Sequence, residues 1–219
     1  MSTGSASERR SQEERRGEAE RRLLEAAAEA VAEFGPSQLT LATVGERAGY
    51  SRGLVTHHFG SKGAMMERLV GTVSEQFRDE ILGKTGSGSA IEALRGFLDI
   101  YFTVVADLPP INRARLVLWA DAVATPSERR AIVLASDREF REELTERITR
   151  GQRAGEFATE VDPRGLAITV VGVLRGIALQ SMLDPELDLA AARRELEQML
   201  FARLAPQHIS DPHKEGQHR

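Results

Sequence analysis

Arg52, Thr56 and His57 sit close together in the chain and carry a planar fork of N–H donors, a hydroxyl and an imidazole. A helix through them sets all three on or near one side, because residues one turn apart share a face. Gly53, among them, removes a side chain where close backbone approach to a partner would help. Thr40 and Lys62 each open a helix, where unpaired backbone N–H groups and the helix dipole favour phosphate. Between Thr40 and Lys62 the charges are Arg47, Arg52 and Lys62 against Glu46, a net +2 inside a chain of formal charge -4. Binding to a polyanion depends on this kind of local excess, not on the total. The adjacent His57 and His58 diverge on a helix and cannot both face one metal; a solvated pair is the alternative reading.

Other chemistries find little support. The 219 residues are 41% hydrophobic and 28% charged, which excludes a wholly disordered chain. The absence of cysteine removes disulfides, thiolate metal sites and cysteine nucleophiles. No Gly-rich phosphate loop, His-Glu-x-x-His or nucleophile elbow occurs, and Gly83-Lys84-Thr85 lacks the upstream glycine of a P-loop. His208, His213 and His218 are spaced for solvent in a polar tail rather than for a metal. The expectation is a protein that is not an enzyme and uses no metal or cofactor. Residues 1–22 are charged without an apolar core, unlike a signal peptide. The longest apolar stretch, Leu166 to Leu183, is broken by Arg175, and the part before it is far below the ~18 residues of a spanning helix. The expected setting is cytoplasmic, with no membrane.

The elements that must position these residues are helical throughout, since no stretch shows sustained period-two alternation. Leu23, Ala27, Val31 and Phe34 mark a first stripe, stopped by Gly35-Pro36. Two short helices follow, Thr40–Ala48 and Ser51–Phe59, separated by Gly49-Tyr50. Gly60 and Ser61 supply a stop and a new N-cap, and Met66, Leu69, Val73, Phe77 and Ile81 carry the next helix to about Leu82. Gly83–Ser89 reads as a linker. Beyond it come an amphipathic helix ended by Pro109-Pro110, a stretch from Ile111 to Val123 that reads as buried, and a helix opened by the capping box Thr125-Pro126-Ser127-Glu128. Asp162-Pro163 and Asp188 open the last two helices. Helices as short as the two after Gly35 are marginal alone and need a third to bury their apolar faces, Leu41, Val44 and Ala48 on one, Leu54, Val55 and Phe59 on the other. That layout is a helix-turn-helix, whose second helix enters the DNA major groove. Ordinary all-α packing uses the same pattern and stays open as an alternative.

Read together, Thr40-Leu41-Ala42-Thr43-Val44-Gly45-Glu46-Arg47-Ala48-Gly49-Tyr50-Ser51-Arg52-Gly53 and His58-Phe59-Gly60-Ser61-Lys62 resemble the TetR family of bacterial transcriptional regulators. Two positions depart from its pattern: Thr56 stands where Tyr is usual, and Gly45 where Ala is usual. The resemblance implies phosphate contacts for Thr40, Thr56, His58 and Lys62, and base-edge contacts for Arg52, Gly53, Leu54 and His57. Arg115–Ala122 and Gly176–Pro185 resemble the BetI-like C-terminal group of the same family. The implied organisation is a flexible polar N-terminus (1–16), a DNA-binding domain (17–77, motif 40–59), a helical ligand-binding and dimerisation domain (78–204) and a polar tail (205–219). Phe97, Tyr101, Val104, Trp119, Phe140, Leu144 and Ile148 are candidates for the lining of a ligand cavity, with filled core as the plainer reading. Gly172, Val173, Gly176, Leu179, Met182, Leu196, Met199 and Leu200 are candidates for a two-fold interface. The expected function is a homodimeric repressor released from double-stranded operator DNA by a small apolar or amphipathic effector. A helical interaction protein without specific DNA recognition and an all-α enzyme are the alternatives.

Overall fold

The computed structural model describes residues 4–83, 88–125 and 129–206, with side chains from residue 13 onward. Among the described residues all regular structure is helical. The helices are α1 (Gly4–Phe34), α2 (Leu41–Ala48), α3 (Arg52–Phe59), α4 (Lys62–Leu82), α5 (Ala90–Asp107), α6 (Pro110–Ala124), α7 (Arg129–Arg153), α8 (Pro163–Leu183) and α9 (Leu189–Leu204). The chain divides into two compact units, Met1–Lys84 with Thr103–Phe140, and Thr85–Phe102 with Arg141–Arg219. Pro126, Ser127 and Glu128 of the expected capping box, and the tail histidines, lie outside the described residues.

In the first unit, α1 takes in the polar residues from Gly4, well ahead of its apolar stripe, and stops at Gly35 in a left-handed conformation (φ +78°). Leu23, Ala27 and Val31 are fully buried as the spacing requires. Phe34 is not: it is 43% exposed, and its ring receives the guanidinium of Arg47 at 5.7 Å. Val44 of α2, Val55 of α3 and Met65, Met66, Leu69, Val70 and Val73 of α4 complete a core around α1. Leu39, in the loop before α2, is also buried there, although no periodicity marks it. Ala114 and Leu118 of α6 enter the same core, so α6 packs on α1 and α4. Arg115 of α6 lies 3.5 Å over the ring of Phe77, which packs on Phe140 at 5.5 Å. Contrary to the expectation that α6 is buried all round, Val123 is 60% exposed.

In the second unit the Phe157 ring lies where a Cβ on Gly151 would be, which seats the turn after α7 directly on that helix. Gln152 Nε2 donates to the carbonyls of Ala158 and Val161, both at 2.8 Å, and the Ala158 N–H donates to the Leu204 carbonyl at 2.9 Å. The turn is thus tied to the end of α9. Asp162 caps α8 by accepting from the N–H groups of Arg164 and Gly165, and Asp188 caps α9 through Ala191. Arg193 bridges Asp99 of α5 and Glu197 of its own helix; Glu197 first and then Asp99 hold its pKa above the usual arginine value. α8 as a whole has the length and mean hydropathy, 1.8 over its best 18 residues, of a membrane-crossing helix, which counting only its charge-free part understates. Its Ile168, Val173 and Leu183 are exposed.

Candidate nucleic-acid interface

Both short helices of the motif, and α4 after them, are started by a hydroxyl. Thr40 accepts from the Thr43 N–H at 3.0 Å, Ser51 from Leu54 at 3.2 Å and Ser61 from Ala64 at 3.1 Å. Thr40 and Thr43 also share a hydrogen between their hydroxyls at 2.7 Å. Two hydroxyls with one bond between them leave one proton for an outside acceptor, so this corner of α2 keeps a donor whichever partner gives. Thr43, which the sequence reading passed over, could have been found from its spacing three residues after the cap.

The turn from α2 to α3 is set by glycines with different tasks. Gly49 takes the left-handed conformation (φ +75°) that ends α2, and the Tyr50 N–H donates back to the Gly45 carbonyl at 2.7 Å. Gly45 is buried, and a Cβ there would meet the Tyr50 carbonyl oxygen at 2.9 Å and Val55 Cγ2 at 3.1 Å. The residue that departs from the usual alanine is therefore what lets α3 cross this closely. Gly53 differs: its added Cβ would meet nothing nearer than Ser51 Oγ at 3.7 Å.

Val55 anchors α3, fully buried. Arg52, Gly53, Thr56 and His57 are exposed, Gly53 and His57 on the side opposite Val55 and Arg52 and Thr56 nearer its edge, while Leu54, His58 and Phe59 are half-buried. Leu54 and His58 lie at the margins of this exposed set. The His58 ring lies 6.1 Å from that of His57 and 6.2 Å from that of Phe59. Thr56 Oγ1 donates to the Arg52 carbonyl at 3.0 Å, so its proton is engaged within the helix and its oxygen faces outward as an acceptor.

The three cations of the segment have different surroundings. Arg47 pairs with Glu33 at 2.6 Å and Glu29 at 3.6 Å on α1, and the Glu33 carboxylate, followed by Glu29, holds its pKa above the usual arginine value. Lys62 is half-buried and donates one N–H to the Ser37 carbonyl at 3.0 Å, leaving two donors and the charge. Arg52 is exposed, and among the described residues its side chain has no ion pair or hydrogen bond. None of these pairings is visible in the sequence, because Glu33 and Ser37 come from elements distant along the chain.

Residues 23–69 match the family described as bacterial regulatory proteins, tetR family, and residues 90–205 match that of the BetI-type transcriptional repressor, C-terminal. The second match alone spans more than half of the chain. The chain belongs to the TetR family. This TetR-family regulator is similar to the HTH-type transcriptional regulator BetI of Klebsiella pneumoniae strain 342, at 28% identity over 203 residues that cover 88% of this chain and 94% of that one. A TetR-family regulator from a Rhodococcus species shares its fold at a TM-score of 0.75 and 24% identity, over 86% of this chain and 100% of that one. So does AibR, solved in complex with isovaleryl coenzyme A and operator DNA, at a TM-score of 0.69 and 18% identity, over 84% and 98% of the two chains. The TetR-family regulator is a DNA-binding transcriptional repressor, and its helix-turn-helix is the one built from α2 and α3.

The remaining expected site residues are distributed as follows. Phe97, Tyr101, Leu144 and Ile148 are buried in the second unit, the first two with ring centroids 6.5 Å apart. Val104 and Phe140 are buried and Trp119 half-buried, all three in the first unit. On α8, Gly172 and Val173 are exposed and Gly176, Leu179 and Met182 half-buried. On α9, Met199 is 60% exposed, whereas Leu196 and Leu200 are covered by the chain itself. Those two therefore belong to the protein's own core, and the open apolar face of α9 is carried by Met199.

Proposed function

We propose that the protein represses as a homodimer, with α3 of each protomer in a major groove of two-fold operator DNA, and that a small apolar or amphipathic effector releases it. The exposed face of α3, with Arg52, Gly53, Thr56 and His57 outward and Val55 inward, is the observation that carries this reading. Thr40, paired with Thr43, and Lys62 serve as phosphate partners, the threonine pair through its one leftover hydroxyl proton, Lys62 through a charge held in place by Ser37. Thr56 serves as a phosphate donor only after rotating away from the Arg52 carbonyl. His58 and Leu54, at the margins, make the outer contacts to phosphate and base.

The dimer reading is supported by α8, where a Cβ at Gly172 or Gly176 would meet nothing within 4 Å and Ile168 and Val173 are exposed. A second copy covers this face, together with Leu179, Met182 and Met199. The effector reading draws on proteins of the same fold such as AibR, solved in complex with isovaleryl coenzyme A and operator DNA. Because α6 shares a core with α1 and α4, a ligand that shifts α6 shifts the frame from which α3 projects. Trp119 on α6 is the proposed sensor. Such a regulator works in the cytoplasm, where its DNA lies.

Selection of bound fragments from the protein's own genome tests the reading. The expected result is a small set of sites with two inverted half-sites about one helical turn apart, ~34–36 Å. Recovery of DNA without a shared sequence would overturn it.

A further inference from the structure

We propose that Arg52 reads a guanine in each operator half-site, through paired hydrogen bonds from its guanidinium to O6 and N7 in the major groove; this assignment rests on the operator-binding reading above. The segment between Thr40 and Lys62 holds three cations, and the structure separates their roles. Arg47 is matched within the chain, at 2.6 Å from Glu33 and 3.6 Å from Glu29, with the Phe34 ring 5.7 Å from its guanidinium. Lys62 is held at the start of α4 by the Ser37 carbonyl, 3.0 Å away, and offers a fixed point charge without a fork. Arg52 begins α3, is exposed, and has no side-chain ion pair or hydrogen bond among the described residues.

Its neighbour explains how that side chain reaches a base. Neither packing nor a positive φ demands glycine at Gly53, in the first turn of α3: a Cβ would meet only Ser51 Oγ, at 3.7 Å. The surface beside Arg52 is thus open to something outside the chain. It lets the first turn of α3 approach the base-pair edges while the unpartnered fork extends along them. The Thr56 hydroxyl, one turn on, is turned to the Arg52 carbonyl and leaves that fork unobstructed. A planar fork of donors matches the two acceptors of guanine, and a good bidentate pair discriminates against a wrong base by roughly 5- to 150-fold.

The test uses the full chain and its variants R52A and R52K. Operators are selected from random duplexes by the unaltered protein, and affinities are then measured for every single-base change over a salt series. One guanine per half-site is expected, at which any other base costs the unaltered protein about 5- to 150-fold. R52A should lose discrimination there and keep it elsewhere. R52K should retain the salt slope of the unaltered protein and lose most of that discrimination, because it keeps the charge without the fork. Unchanged helical content by circular dichroism confirms that both variants fold. If R52A instead weakens all sequences equally, Arg52 is a phosphate contact and the assignment is overturned. Selected sites without such a guanine, or with one that R52A still prefers, overturn it too and leave operator binding intact. No sequence preference in the unaltered protein overturns operator binding and this assignment together.

Discussion

Lys62 and His57 lie a few residues apart yet have opposite expected failures. Lys62 presents a charge fixed by the Ser37 carbonyl, and a phosphate sees that charge whatever the base sequence. Lys62→Ala should therefore weaken all duplexes alike and make the dependence of log affinity on log salt shallower by about one unit. His57 is exposed on the face opposite Val55. His57→Ala should change preference at particular base pairs and alter the salt slope little. Affinities for a panel of operator variants over a salt series separate the two, and identical behaviour would refute this division of roles. Arg47 shows why charge counting along the chain is not enough: its charge is matched by Glu33 and Glu29 before any DNA arrives.

α2 and α3 have eight residues each and hold together through their crossing rather than through intrinsic helicity. Gly45 sits at that crossing, against the Tyr50 carbonyl and Val55. Alanine there would favour the helix by about 1 kcal/mol, but overpacking against a backbone oxygen costs about 1–3 kcal/mol. The backbone contact decides the sign. Gly45→Ala should lower the unfolding midpoint by about 2–4 °C and weaken operator binding, since α3 must shift to make room. A raised midpoint by differential scanning calorimetry would mean that the turn relaxes and the crossing is not tight.

The α8 face has consequences for the whole assembly. Because nothing among the described residues comes within 4 Å of a Cβ at Gly176, Gly176→Leu should leave the protomer folded while obstructing a close helix crossing with a second copy. The variant is expected to sediment as a monomer at micromolar concentration and to lose operator affinity, since a two-fold operator needs two linked reading heads. A dimer of unchanged affinity would move the interface elsewhere. The effector response is a coupling between two sites: what weakens DNA binding must itself bind less tightly in the presence of DNA, by the same factor. A coupling of about 1–3 kcal/mol corresponds to roughly 5–150-fold. Amphipathic compounds that raise the melting temperature should release operator DNA, and Trp119→Ala should impair that release more than it impairs ligand-free DNA binding. An unchanged response in Trp119→Ala removes Trp119 from the effector path.

Much of the architecture is determined locally and is legible in the residues themselves. The stops at Gly35 and Gly49, the caps Thr40, Ser51, Ser61, Asp162 and Asp188, and the apolar faces of α1 and α4 all depend on neighbours a few positions away. The outward placement of Gly53 and His57, away from Val55, follows from helical periodicity in the same way, whereas Arg52 is exposed because it stands at the open first turn of α3. The tertiary structure decided what local rules do not reach. It drew Phe34 out of the core to meet Arg47, put α6 into the core of the DNA-reading unit, buried Leu196 and Leu200 while leaving Met199 open, and made Gly45 a spatial necessity. Each of these depends on atoms brought together from distant parts of the chain, and periodicity shows which side of a helix is apolar without showing what will cover it.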